Sequence, residues 1–111
     1  MTENLTLCVF VWARPGKETG LIDYESRVLR LLPAHGAQVV QRAVNADRES
    51  NQPTEVQMLE FPSPAAFRAY LKNPRRRELA EMRNAVVERT CMFPVDLMKS
   101  SVVAVAAGCY R

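Results

Sequence analysis

Apolar residues run almost unbroken over residues 5 to 12, a stretch rich in valine and aromatics and short enough to be a buried strand rather than a helix. Arg14-Pro15-Gly16 breaks it. Over residues 17 to 32 the interval changes, and Leu21, Tyr24, Val28 and Leu31/Leu32 recur at helical spacing with Glu25, Arg27 and Arg30 on other faces. This predicts an amphipathic helix ended by Pro33 and Gly36. Residues 38 to 44 predict a second strand, the polar residues 45 to 53 a turn or open loop, and residues 54 to 61 a third strand. Ser63 then offers a hydroxyl to the free amides of a helical first turn, and Pro64 suits a position that needs no amide hydrogen. Ala66, Phe67, Tyr70 and Leu71 supply the inward face of that helix. Asn73-Pro74 repeats the cap-and-proline device, so the helix breaks and restarts, with Leu79, Met82 and Val86 as its new apolar stripe. Residues 90 to 98 predict a fourth strand, which Pro94 assigns to an edge or a bulge because proline cannot donate to a ladder.

The order is strand, helix, strand, strand, helix, strand. Two similar halves of this kind give an α+β domain of ferredoxin-like βαββαβ form, a four-stranded antiparallel sheet with its helices on one face. Both parities of the first strand are apolar, whereas a strand with one face in water should alternate. Burial on both faces predicts a homodimer formed by apposed sheets. The domain spans residues 1 to 98, and residues 99 to 111 are an extension whose apolar run, 102 to 107, needs a place as an added strand or against the partner subunit.

At 111 residues and 48% hydrophobic, the chain has enough apolar material for one core. The three cysteines, Cys8, Cys91 and Cys109, are odd in number and too widely spaced for a disulfide framework or a zinc pattern, which fits a reducing cytoplasm. No apolar run is long enough to cross a membrane, so a soluble protein without a membrane role is expected. The net charge of +3 is concentrated where Lys72, Arg75, Arg76, Arg77 and Arg83 outnumber Glu78 and Glu81. A nucleic-acid protein would spread its cations over a face and interleave stacking aromatics, so no nucleic-acid partner is expected.

Tyr24-Glu25, His35-Gly36, Glu60-Phe61-Pro62-Ser63 and Asn73-Pro74, with Arg83 nine residues beyond Pro74, together resemble the DUF1330 group of small dimeric α/β-barrel proteins. The resemblance covers roughly residues 5 to 98. It implies a ferredoxin-like subunit, a dimer of apposed sheets and a pocket between each sheet and its helices. It also implies kinship with antibiotic-biosynthesis monooxygenase-like and muconolactone isomerase-like domains, which work without a cofactor. The chain departs from the pattern at Arg76, where similar proteins often carry an aromatic, and at Ala37, where a second glycine often follows the His-Gly pair.

Arg75, Arg76 and Arg77 fall in the first turn of a helix, where the macrodipole disfavours cations, and a local rule broken in this way can mark a site. Arg76 and Arg83, seven residues apart, share nearly one helical face and are candidates to bind an anionic ligand. The competing reading is a solvated surface with Arg77 and Glu81 paired along the helix. His35 is the only histidine and a candidate general acid or base, against a plain capping role in a helix-ending turn. Glu60 shares a strand parity with Val56 and Met58, and Arg42 with Val40 and Val44. If both faced one pocket they could move a proton and orient a substrate, whereas the competing reading is a cross-strand pair. Trp12 and Tyr24 are candidates to line an apolar cavity, or are simply core. Cys8 and Cys91 suit packing, and no residues have metal-ligand spacing.

The expectation is therefore a homodimer that binds a small, partly apolar, anionic or carbonyl-bearing molecule. Under the resemblance it would catalyse a cofactor-independent oxygenation, isomerisation or cyclisation, with His35 or Glu60 handling protons and Arg83 or Arg42 holding negative charge. The rivals are a noncatalytic module that contacts an acidic protein and an RNA binder with aromatics exposed on its sheet.

Overall fold

A computed structural model describes residues 4–47 and 50–98. The residue 99 to 111 extension lies outside them. The chain forms β1 (Leu5–Ala13), α1 (Glu18–Leu29), a 3-10 turn (Leu32–His35), β2 (Gln38–Val44), β3 (Glu55–Phe61), α2 (Pro64–Leu71), α3 (Pro74–Glu78), α4 (Ala80–Val86) and β4 (Val87–Pro94). The sheet order is β2-β3-β1-β4 and every pairing is antiparallel. This is the ferredoxin-like arrangement expected, with β4 at an edge and Pro94 as its last residue.

Leu7, Val9 and Val11 of β1 and Leu59 and Phe61 of β3 meet Leu21, Tyr24, Val28, Leu32, Tyr70 and Val86 in one core on the helical side of the sheet. Phe61 is fully buried, and its ring lies 5.1 Å from that of Phe67 and 5.6 Å from that of Tyr70. The opposite sheet face carries Cys8, Phe10 and Trp12 beside Cys91 and Phe93, with Phe10 in edge contact with both Trp12 and Phe93. Cys8 is buried on this face, whereas Cys91 is exposed.

Both cap-and-proline devices form. Ser63 Oγ accepts from the Ala66 amide at 3.1 Å, and Asn73 Oδ1 accepts from the Arg75 amide at 2.8 Å. The first helix is shorter than its periodicity predicts, because the chain tightens into the 3-10 turn around Pro33 before Gly36, at φ +70°, closes it in the left-handed region. Gly20 is where α1 meets α4, and a Cβ there would come within 2.9 Å of Val86 Cγ1. The fourth strand starts at Val87 rather than residue 90 and ends at Pro94 rather than residue 98, since α4 passes into it with no turn residue between. Val95 adds one more bond from its amide to the Thr6 carbonyl.

Candidate functional site

Helices α1 to α4 do not close completely over the sheet, and they leave a chamber of about 70 Å³ between Val9 and Leu59 on its floor and Tyr24, Glu25 and Tyr70 above. A wider hollow of about 460 Å³ shares Tyr24, Leu71, Arg76, Arg83, Thr90 and Met92 with the chamber and forms its outer vestibule. Every helix contributes. Tyr24 and Glu25 come from the inner face of α1, Tyr70 from the last turn of α2, Arg76 from α3 and Arg83 from α4.

One carboxylate, Glu25, lines the chamber and a second, Glu55, is bonded to its Gln57, and their surroundings differ. Glu55, fully buried, receives Arg42 Nε and, at 3.2 Å, Arg42 Nη2, which also donates to the Ile22 carbonyl at 3.1 Å. The Gln57 amide nitrogen bridges the two acids, donating to Glu55 Oε2 at 2.8 Å and to Glu25 Oε1 at 2.7 Å. Among the described residues Glu25 forms no ion pair. Burial pushes its carboxyl above the ordinary value of 4.5; the bond from Gln57 tempers this, the Glu55 charge adds to it, and Arg42 and Arg76 draw it back. Glu55 is thus tied to a fixed counter-charge, whereas Glu25 is a buried carboxyl whose raised pKa suits it to hold a proton.

Arg76 stands at the boundary between chamber and vestibule. Its guanidinium carbon is 4.8 Å from the Tyr70 ring centre, and its Nε is buried without a hydrogen-bond partner among the described residues. Such a donor is costly to leave unfilled. Arg83 Nη2 donates to Thr90 Oγ1 at 3.3 Å across the vestibule. Burial raises the phenols of Tyr24 and Tyr70 above their usual range, against the lowering influence of Arg76. Arg75 and Arg77 are exposed, so the arginine run divides into one residue turned inward and two in solvent. Among the described residues the ion pairs are Asp23–Arg27 and Arg42–Glu55, and Arg77 does not pair with Glu81.

The structure therefore brings Tyr24, Arg76 and Arg83 together and ties Arg42 to them through Glu55 and Gln57. It does not bring the others. Glu60 lies on the opposite sheet face, where Gln38 Nε2 donates to it at 2.9 Å, so the shared pocket for Glu60 and Arg42 does not exist. Trp12 also belongs to that side, with Arg89 stacked 3.7 Å from its ring centre and its indole N–H donated to the Asn51 carbonyl. His35 lines neither chamber nor vestibule. Because Asn73 Oδ1 is turned to the Arg75 amide, Asn73 Nδ2 faces His35 Nε2 at 3.0 Å and donates to it, which leaves the imidazole proton on Nδ1.

Glu25, Gln57, Tyr70 and Thr90 were absent from the expected site. Glu25 had a readable signal, since it stands four residues after Leu21 and three before Val28 and so on the apolar face of its own helix. Gln57 had one as well, through its shared parity with Leu59 and Phe61.

A family model described as a domain of unknown function, DUF1330, matches residues 13–95. No curated protein matches the chain in sequence. Among solved structures, RPA0582 from Rhodopseudomonas palustris, a protein of unknown function, superposes with a TM-score of 0.70 at 20% identity over 89% of this chain and 87% of its own. SnoaB, a cofactor-independent oxygenase from Streptomyces nogalater, gives 0.65 at 14% identity over 87% of this chain and 97% of its own. A dimeric ferredoxin-like protein of unknown function from Bacteroides fragilis gives 0.64 at 10% identity over 87% of this chain and all of its own, 100%. At such identities the likeness is one of fold.

Proposed function

The chain belongs to the DUF1330 family, and from that premise we propose that it is a homodimer binding a small carbonyl or anionic molecule in the chamber between sheet and helices, with Glu25 as the group that exchanges protons there. The observation that carries this reading is a buried acid with a raised pKa, held by Gln57 inside a chamber whose rim has an unfilled arginine donor. Perturbed acids in clefts are where acid–base chemistry is found.

Glu25, once ionised, takes a proton from an acidic C–H or O–H of the substrate, and Arg76 and Arg83 hold the negative charge that results. Return of that proton to another atom of the same substrate is an isomerisation, balanced without any cofactor. Oxygenation, the reaction of SnoaB, would begin with the same deprotonation, the electron-rich substrate then supplying electrons to dioxygen. The test is exchange of the α-hydrogens of a β-keto ester in heavy water, followed by proton NMR. Exchange above the buffer rate with wild type, lost in Glu25→Gln while the fold is retained, is the expected result. Equal rates in the two proteins would remove the acid–base role.

The dimer is proposed to form through the open sheet face, where Phe93 is 41% exposed in edge contact with Phe10. A second copy suits that face because the dimeric Bacteroides fragilis protein shares the fold. Light scattering decides the matter. A monomer would leave a row of aromatics in water and favour single-stranded RNA on the sheet instead.

A further inference from the structure

The inner chamber and its vestibule differ in size and in charge, and the difference sets how a ligand must enter. A cavity that takes a benzene ring has about 150 Å³, so a chamber of about 70 Å³ takes a small head group and no whole ring. Val9, Val11 and Leu59 line its floor, and the polar side chains that line it but not the vestibule are Glu25, Gln57 and Tyr70. The vestibule, at about 460 Å³, has room for a ring or short chain beside Leu71 and Met92. Its charged side chains next to the chamber are Arg76 and Arg83, and neither forms an ion pair among the described residues. The buried Nε of Arg76 has no acceptor there. An unfilled guanidinium donor beside a second guanidinium is matched by the oxygens of a carboxylate.

We propose that the ligand is a hydroxy- or enol-bearing organic carboxylate that enters head first, its hydroxyl against Glu25 in the chamber and its carboxylate on Arg76 and Arg83 in the vestibule. This rests on the reading of the chamber as the binding site and adds the substrate class and its orientation. Both ends contribute to affinity. A charged hydrogen bond lost at either end lowers affinity about tenfold or more.

Three probes separate the ends: para-hydroxybenzoate, which has both groups; benzoate, which lacks the hydroxyl; and methyl para-hydroxybenzoate, which lacks the charge. Titration calorimetry on the full chain is expected to rank the first probe at least about tenfold tighter than either of the others. Arg83→Met should bring the acid and its methyl ester to equal affinity, and Glu25→Leu should do the same for para-hydroxybenzoate and benzoate. Binding of the ester as tightly as the acid, or of benzoate as tightly as para-hydroxybenzoate, in the wild-type protein overturns the proposal and leaves the chamber reading standing. Failure of all three to bind a folded protein removes both. The wild-type ranking decides the question even if a variant does not fold.

Discussion

The two ends of β3 present the same sheet face, and they are equally hidden from water. At one end Leu59 and Phe61 are 5% and 0% exposed; at the other Glu55 and Gln57 are 0% and 2% exposed. The first pair is held by rings and aliphatic chains, and its burial is favourable in itself. The second pair must offset its own desolvation with Arg42, Glu25 and the bond between Gln57 and Glu55. One half of a single strand therefore stabilises the domain. The other half is costly, and its Gln57 holds Glu25 at the chamber wall.

The comparison can be broken from the apolar end first. Phe61→Ala should cost about 3–5 kcal/mol, read as a drop in the denaturant midpoint; a loss below about 1 kcal/mol would mean that the core relaxes around it. Arg42→Met strands Glu55 without its counter-charge and should cost about 3 kcal/mol. Replacing the pair together, with Arg42→Met and Glu55→Leu, should recover most of that loss, because the charge goes with its partner. A double variant no more stable than the single one would show that Gln57 depends on Glu55 more than the fold depends on the pair. Ser63→Ala, which removes a cap outside both ends of the strand, should cost about 1 kcal/mol and leave ligand binding untouched.

The smallest effect is the most telling about the polar end. Glu25 has a folded pKa raised above 4.5, so the folded state holds its proton more tightly than the unfolded chain does. Stability that is present in acid below 4.5 is then lost as pH rises through the raised folded value. Glu25→Gln should flatten that decline and melt higher than wild type on the alkaline side, with the two curves meeting in acid. Parallel melting curves across the whole pH range would mean that Glu25 is not desolvated.

Much of the architecture was legible because local chemistry and pattern agreed. Ser63-Pro64 and Asn73-Pro74 announced helix starts that the backbone adopts. The start of β4 was hidden, since Glu88 and Arg89 look unlike a strand until they are seen on an exposed edge. The site was misjudged for a physical reason that lies in β3. Val56 and Met58 resemble a core face, and Glu55 and Gln57 a wet one, but the helices cover the polar set and leave the apolar set on the open side. Glu60 went with the wrong set in consequence. In β2 the bulge between Val39 and Gln41 shifts the alternation, so counting by twos along that strand does not carry Arg42 to its true neighbours.

Asn73 also joins two parts of the chain that the sequence keeps far apart. Its one amide group serves as acceptor to the Arg75 backbone and as donor to His35 Nε2, and the two roles occupy both of its ends. The 3-10 turn after α1 is thereby fastened to the first turn of the short helix that carries Arg76. His35, which lines neither chamber nor vestibule, is a tether on the wall that positions the arginine between them.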